Sequence, residues 1–234
     1  MDRMALEPPA PGCHDGVMRK YVIMGVQGSG KGTQSARLCE AFGLEHISVG
    51  DIFRWNIAHH TKLGAQVRRL VDAGHLVSDD IVASVVRDRL EQHDWNHGFV
   101  VDGFPRNVPQ AEFFLESYDI DAVIVLDLPD EEVQRRVLSR RICSECGLDY
   151  NLIAHRPAVA DVCDVCGGTL EQRGDDTHEA LARRLADYYA KTEPVIEVFA
   201  RKELVVRIDA QPSKDVVFET IIKRLGLAGS ESIR

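Results

Sequence analysis

The stretch YVIMGVQGSGKGT, residues 21–33, decides the fold of this chain. Four mostly apolar residues typical of a strand, 21–24, run into a glycine-rich segment that fits the pattern G-x-x-x-x-G-K-[ST], and helix-compatible residues follow. The glycines let the backbone curl until several N–H groups point into one concavity, and the helix behind it adds the positive end of its dipole. The stretch therefore predicts a phosphate-binding loop between a strand and a helix.

Two side chains of this loop carry distinct chemistry. Lys31 is placed to reach the terminal phosphates of a ligand, and the hydroxyl of Thr33 is placed to bind Mg²⁺. A glycine-rich turn that binds nothing is the alternative, but the strand and the helix that the motif requires are both present. We therefore expect a phosphate-bearing ligand together with Mg²⁺.

Length and charge restrict the classes of protein to which the chain can belong. Its 234 residues suffice for one large α/β domain with an insertion. The net charge of −9 argues against general attraction to nucleic acid, whereas a locally positive cleft suits a small polyanion such as a nucleotide. No run is long enough to span a membrane and no signal peptide is evident, so we expect a cytoplasmic protein. Residues 1–18 are expected to be a disordered extension, with 19–234 as the folded domain.

Apolar strands alternate with helices along the chain. Segments 98–102 and 122–127 are apolar at consecutive positions, as is typical of central strands in a parallel sheet. The alternation predicts an α/β fold with a doubly wound parallel sheet of five strands, whose ligands gather at the carboxyl ends of the strands. The other predicted elements are strands at 45–48 and 204–208 and helices at 52–74 with a break at Gly64, 80–92, 130–141 and 213–225.

Two pairs of cysteines interrupt this alternation. Cys143 and Cys146 form one C-x-x-C pair, and Cys163 and Cys166 form the other. Two such pairs at this separation indicate a four-thiolate tetrahedral Zn²⁺ site, which leaves no open position for catalysis. A nucleic-acid-binding zinc ribbon is the alternative, but the loop between the pairs has no basic face. We therefore expect structural zinc in a small flap, an insertion at about 141–175.

Several arginines are candidates for stabilising phosphoryl transfer. Because the transition state spreads charge over peripheral oxygens, catalysis depends on positioning and positive charge. A single arginine on a helix is more often a surface residue, but Arg106 follows a predicted strand end and Arg173 follows the cysteines. Asp102, at the tip of a buried strand, is expected to hold Mg²⁺ through water, with a turn cap as the alternative. The full set of candidate donors is Arg54, Arg106, Arg136, Arg140, Arg141, Arg173 and Arg184.

Five stretches together resemble the adenylate kinase family, in its long form with a zinc-binding lid. They are the loop GVQGSGKGT, SVGDIFR at 48–54, GHLVSDD at 74–80, DGFPRNVPQ at 102–110, and the cysteine segment from RRICSECGLDYN to CDVCGGTLEQRGDD. The resemblance implies reversible transfer of the γ-phosphoryl group of MgATP to AMP, giving two ADP. No general base is needed, because the phosphate of AMP is already an anion at neutral pH. The resemblance also implies an AMP-binding insertion at about 48–77, and the lack of a long exposed apolar pattern favours a monomer.

The resemblance assigns roles to individual residues. The catalytic groups would be Lys31, Arg106, Arg140, Arg173 and Arg184. ATP would be bound by Gly28, Ser29, Gly30, Lys31, Gly32, Thr33, Arg136, Arg140, Asp149, Tyr150 and Pro212. AMP would be bound by Val49, Arg54, His75, Leu76, Val77, Gly103, Phe104, Pro105, Arg106, Gln110, Arg173 and Arg184.

The chain departs from the family pattern at a few positions. Val49 stands where the family usually has threonine, so a hydroxyl beside the acceptor base is missing. Gln110, whose amide both donates and accepts hydrogen bonds, is retained and favours adenine. Leu148 and Gly174 replace residues that are commonly basic in the lid. A kinase for UMP, CMP or another monophosphate, and a nucleotide sensor without turnover, therefore stay open as alternatives.

Overall fold

The computed structural model describes residues 19–92, 98–153, 155–174 and 176–227, so the expected disordered extension at 1–18 lies outside the described residues. The elements follow one another as an α/β succession with a small β-rich insertion. In chain order they are β1 (Lys20–Gly25), α1 (Lys31–Phe42), β2 (Glu45–Ser48), α2 (Val49–Ala58), α3 (Lys62–Asp72), α4 (Asp79–Glu91), β3 (Phe99–Asp102), α5 (Val108–Ser117), β4 (Ala122–Asp127), α6 (Asp130–Leu138), β5 (Arg140–Cys143), β6 (Asp149–Asn151), β7 (Leu170–Glu171), α7 (His178–Asp187), a π-helical turn (Tyr188–Thr192), α8 (Glu193–Ala200), β8 (Val205–Asp209) and α9 (Lys214–Arg224).

The main sheet has the strand order β2-β3-β1-β4-β8, and every neighbouring pair is parallel. Val22 in the central strand lies opposite Val101 on one side and Val123 on the other, and all three are fully buried. The predicted doubly wound five-stranded parallel sheet is thereby confirmed. The carboxyl ends of β1 and β3 lie side by side, which brings the phosphate-binding loop next to Asp102.

Apolar layers cover both faces of this sheet. Val22 and Met24 belong to a cluster with buried residues of α2, α4, α5 and α8. Tyr21 and Ile23 alternate with them and belong to a second cluster with α1, α6 and α9. Burial on both faces explains why the strands are apolar at consecutive positions, and it fixes the strand ends that carry the site.

The helical segment after β2 breaks before Gly64 and not at it, so that prediction was wrong. The chain turns at 59–61, and the Thr61 hydroxyl accepts a 3.0 Å hydrogen bond from the Gly64 N–H at the start of α3. A Cβ on Gly64 would lie 2.1 Å from the carbonyl oxygen of Asn56 in α2. The glycine is therefore needed because α2 and α3 approach closely there.

The helix predicted for 130–141 also ends earlier, at Leu138. Arg140 begins β5, whose residue Ile142 lies opposite Asp149 of β6 and Glu171 of β7 in a three-stranded antiparallel sheet. We call the insertion that contains this sheet, at about 141–175, the lid. The helical pair α7 and α8 follows it and was not predicted from the sequence. Among the described residues, no helix is both long and apolar enough to cross a membrane.

Candidate active site

The phosphate-binding loop follows β1 directly and ends where α1 begins at Lys31. Gly28 and Gly30 have positive φ angles of 78° and 95°, a conformation that other residues rarely adopt. A Cβ on Gly28 would also lie 2.9 Å from a methyl group of Val137. No described side chain caps α1, so the N–H groups of its first turn stay available to an anion.

Lys31 lies folded back inside this loop. Its Nζ donates hydrogen bonds of 2.8 Å each to the carbonyl oxygens of Gly25 and Val26. Burial lowers the pKa of Lys31 to about 8; the charge of Asp102 opposes this shift, and three neighbouring arginines, Arg106, Arg140 and Arg184, add to it. An ammonium group held by two carbonyl oxygens among like charges is well placed to exchange those partners for phosphate oxygens.

Asp102 ends β3 beside the loop. A Cβ on Gly32 would lie 3.6 Å from its Oδ2, and Thr33 follows Gly32 as an exposed residue at the start of α1. Carboxylate and hydroxyl oxygens are the ligands that Mg²⁺ prefers, directly or through water. Thr33 and Asp102 therefore offer oxygen ligands of the kind that Mg²⁺ takes beside nucleotide phosphates.

The predicted catalytic cations converge on one region. Burial, together with the charges of Arg184 and Arg54 and against that of Asp102, lowers the pKa of Arg106 to about 10. Burial likewise lowers the pKa of Arg173, with added effects from Arg140 and Arg54. The five cations Lys31, Arg106, Arg140, Arg173 and Arg184 are thus linked by mutual repulsion, in a protein whose net charge is −9. Such a concentration of partly buried positive charge suits a polyanion.

A buried carboxylate that the sequence analysis did not assign holds one of these cations. The side chain of Asp176 is fully buried and accepts two hydrogen bonds from Arg140, one of them 2.7 Å from its Nε. Gln27 of the phosphate-binding loop donates a third, of 2.9 Å, to the same carboxylate. Arg140 stands at the entry of the lid and Asp176 at its exit, so the pair ties both ends of the lid to the loop. The sequence shows Asp176 as one of two acidic residues shortly after Arg173, with nothing that indicates its contact with Arg140.

A cavity next to the cation cluster lies between α2, α3, the start of α4 and the turn after β3. Arg106 and Arg184 line it from the cluster side, and the buried Val49 and Phe53 line its apolar wall. Of the residues expected to contact AMP, those lining the cavity are Val49, Arg54, His75, Leu76, Val77, Gly103, Arg106, Gln110 and Arg184. The cavity therefore joins an apolar wall to an anion-binding end.

Three residues expected at the AMP site do not line this cavity. Phe104 is buried against the edge of Phe114, with ring centroids 5.3 Å apart, and Pro105 follows it through a cis peptide bond. Both residues shape the turn that presents Arg106. Arg173 reaches the region from the lid, where its guanidinium donates a 2.6 Å hydrogen bond to Asp149.

The amide of Gln110 is oriented by its neighbours. Its Oε1 accepts a 2.8 Å hydrogen bond from the N–H of Arg106, and its Nε2 donates a 2.6 Å hydrogen bond to Asp79. Asn107 donates to the same oxygen of Asp79 at 2.8 Å. A carboxamide has two N–H donors and two acceptor lone pairs, so one of each remains for the edge of a base.

The four lid cysteines form the group that the spacing predicted. Their sulfur atoms all lie within 4.8 Å of one another, with 3.3 Å between Cys143 and Cys166 and 3.6 Å between Cys146 and Cys163. Four sulfurs at about 2.3 Å from a tetrahedral Zn²⁺ are about 3.8 Å apart, so the group fits the ion. The N–H of Cys166 is the main cause that lowers the pKa of the Cys163 thiol to about 6, whereas the pKa values of the Cys146 and Cys166 thiols are raised, with neighbouring thiols among the causes. A bound cation is what four adjacent thiolates would need.

Tyr150, which the resemblance places among the residues that bind ATP, lies beside the lid cysteines. Its ring is buried in the lid, and its hydroxyl donates to the sulfur of Cys163 at 3.5 Å and accepts from the N–H of Asp164 at 2.8 Å. The side chain is therefore fully engaged beside the cysteines. Arg136, by contrast, lies over the phosphate-binding loop and donates a 3.0 Å hydrogen bond to the carbonyl of Gln211, next to the exposed Pro212.

Comparison with known proteins agrees with this geometry. Residues 23–204 match the family model described as adenylate kinase. The chain is 42% identical over 210 residues to the adenylate kinase of Clostridium tetani (strain Massachusetts / E88), an alignment that covers 88% of this chain and 97% of that protein. It is 41% identical over 215 residues to the adenylate kinase of Thermoanaerobacter sp. (strain X514), covering 90% and 99%. It is 40% identical over 196 residues to that of Treponema denticola, covering 84% and 94%.

Proposed function

The chain belongs to the adenylate kinase family, and we propose that it transfers the γ-phosphoryl group of MgATP to AMP, giving two ADP, with the cations assigned below. It is a phosphotransferase of the nucleoside monophosphate kinase class. The assignment of residues rests on the cluster of five cations, which extends from Lys31 in the phosphate-binding loop to Arg106 and Arg184 in the wall of the cavity. Two phosphate-bearing ligands that approach from opposite sides would meet there.

We assign the donor side to the phosphate-binding loop. Backbone N–H groups of Gly28 to Thr33 hold the phosphates of ATP, and Lys31 leaves its two carbonyl partners to contact the transferred group. Thr33 and, through water, Asp102 hold Mg²⁺, which when bound neutralises charge on the phosphates. Arg136 lies along this side, and Pro212 contributes its backbone next to the base.

We assign the acceptor side to the cavity. Arg54 and Arg106 bind the phosphate of AMP, and Val49 and Val77 contact the base through apolar atoms. The free N–H and lone pair of Gln110 meet the edge of adenine. The second pKa of a phosphate monoester is about 6, so the attacking oxygen is already an anion at neutral pH and no side chain has to remove a proton.

The remaining arginines act on the transferred group. Arg140, Arg173 and Arg184, together with Lys31, supply positive charge around its peripheral oxygens, and the loss of one such donor typically lowers kcat by about 10²–10³-fold. The closing of the lid over the nucleotides excludes water, a role already familiar for the lid of adenylate kinases. In domain terms, we propose a core within 19–234, an AMP-binding insertion at about 48–77 and a lid at about 141–175.

We propose that the four lid cysteines hold structural Zn²⁺. Metal analysis of protein purified under reducing, chelator-free conditions should find about one zinc per chain, since a closed site needs four thiolates. Cys163→Ser should lose the metal and lower Tm. Cys39→Ser is the matched control: burial raises the pKa of Cys39 to about 12, so its thiol stays protonated and zinc content should not change. Wild-type protein without zinc would contradict this assignment.

The choice of acceptor tests the proposed function. Phosphoryl transfer from MgATP is to be measured with AMP, UMP, CMP, GMP and dTMP under identical conditions. We expect kcat/KM for AMP to exceed that for UMP and dTMP by roughly 100-fold or more, because uracil and thymine present a ring N–H and a carbonyl oxygen where adenine presents a ring nitrogen and an amino group, which leaves the oriented amide of Gln110 unpaired. Preference for a pyrimidine would instead indicate a UMP/CMP kinase, for which Val49 would be the first cause to examine. No transfer to any acceptor would favour a nucleotide sensor.

A further inference from the structure

The helical pair after the lid contains a π-helical turn, Tyr188–Thr192. Its widened geometry is seen in the N–H of Glu193, which bonds to the carbonyl of Tyr188, five residues earlier. Such turns are rare and often lie at functional sites. This one lies between α7, which carries Arg184, and α8, and Thr192 is its last residue. Its wider spacing therefore sets the direction in which the side chain of Thr192 leaves the helix.

The hydroxyl of Thr192 forms its hydrogen bond with a group outside its own helix. A threonine hydroxyl in a helix commonly bonds to a carbonyl three or four residues earlier in the same helix. The hydroxyl of Thr192 instead donates a 2.9 Å hydrogen bond to the carbonyl of Arg106, which is 86 positions earlier in the chain. This bond connects the π-helical turn to the end of the turn that follows β3.

Arg106 is consequently held on both sides of its backbone. Its carbonyl accepts from Thr192, and its N–H donates to Gln110 at 2.8 Å. Its side chain is held as well, since Nε donates a 2.8 Å hydrogen bond to the carbonyl of Gly103. The positive charges of Arg184 and Arg54 repel this guanidinium. A fixed backbone therefore keeps the guanidinium in place against that repulsion.

We infer that Thr192 is a positioning residue, whose hydroxyl, set by the π-helical turn, fixes the backbone of Arg106 so that its guanidinium meets the acceptor phosphate. The inference rests on the proposed function, because it takes Arg106 as the group that binds that phosphate. A displacement of about 1 Å in a catalytic constellation can lower the rate by about 100-fold. The hydroxyl acts through Arg106 and needs no contact with either nucleotide.

The test uses Thr192→Val, which keeps the shape of the side chain and removes the donor, and Thr192→Ser, which keeps the donor. The matched control is Thr220→Val, because Thr220 donates a 2.7 Å hydrogen bond to the carbonyl of Val216 on the exposed side of α9. We expect Thr192→Val to weaken AMP binding in calorimetry and to lower kcat by about 10- to 100-fold. We expect ATP affinity to stay near the wild-type value, Thr192→Ser to recover most of both losses, and Thr220→Val to change neither.

Three outcomes would overturn the inference. The first is wild-type kcat and wild-type AMP affinity in Thr192→Val. The second is an equal loss of kcat and AMP affinity in Thr192→Ser and Thr192→Val. The third is an equal loss of affinity for ATP and for AMP in Thr192→Val. If Thr192→Val does not fold, full activity in Thr192→Ala would overturn it equally. Absence of transfer by the wild-type enzyme would instead refute the proposed function, and AMP calorimetry on the same variants would still decide whether Thr192 positions Arg106.

Discussion

Lys31→Met is expected to lower kcat for phosphoryl transfer by about 10²–10³-fold while the fold persists. The amine of Lys31 lies among like charges that, together with burial and against the charge of Asp102, lower its pKa to about 8, and two carbonyl oxygens accept its hydrogen bonds. Bound phosphates would add the negative charge that Asp102 supplies only in part. Methionine fills a similar volume without charge, so the stabilisation of the transferred group is lost and little else changes.

The matched control for this substitution is Lys202→Met, which removes an exposed lysine after α8. We expect Lys202→Met to keep wild-type kcat and both variants to keep the wild-type circular dichroism spectrum. A Lys31→Met enzyme with wild-type turnover would refute the role assigned to Lys31. A Lys31→Met protein that is unfolded would show that the amine is needed for the loop itself.

Asp176→Asn is expected to lower the free energy of unfolding by about 3–5 kcal/mol, measured by urea denaturation. The carboxylate is fully buried, and the side chain of Arg140 is only 19% exposed. Removal of the negative charge takes from this largely buried guanidinium the carboxylate that accepts two of its hydrogen bonds, and breaking a buried pair in this way costs more than the pair contributes. An amide oxygen is also a weaker acceptor for Gln27 than the carboxylate, so the tie between the phosphate-binding loop and the exit of the lid is weakened as well.

An exposed Arg–Asp pair provides the comparison for Asp176→Asn. Arg37 and Asp215 form a 2.9 Å ion pair, but the carboxylate is 64% exposed. Solvent screens such pairs, so Asp215→Asn should change the free energy of unfolding by less than about 1 kcal/mol. Equal effects of the two substitutions would contradict the account of Asp176 as the buried anchor of Arg140.

Local patterns in the sequence were sufficient for the main sheet, the phosphate-binding loop and the cysteine group. The phosphate-binding loop is a motif of consecutive residues. Each buried strand is also recognised from consecutive residues, because burial on both faces favours apolar side chains at successive positions. The two C-x-x-C pairs predict that their four sulfurs lie together, since four thiolates bind one metal ion. In each case, neighbours in sequence carry the information.

Contacts between distant segments were not predictable in the same way. Gln27 and Asp176 are 149 positions apart, and nothing near either residue indicates the other. Thr192 and Arg106 are likewise separated by 86 positions. Gly64 suggested a helix break because glycine is common at breaks, whereas its actual reason is the approach of Asn56 in the packed α2–α3 pair. Tyr150 was assigned to ATP by the resemblance alone, and the contacts of its hydroxyl with Cys163 and Asp164 could not be read from the sequence.

The most direct test of the proposed reaction uses MgADP as the only nucleotide. A nucleoside monophosphate kinase that accepts AMP must convert two ADP into ATP and AMP, because the reaction is reversible and both binding sites accept ADP. We predict that ATP and AMP appear in equal amounts, and that Lys31→Met protein purified in the same way forms almost none. Folded wild-type protein that forms no ATP and AMP from MgADP would contradict the account.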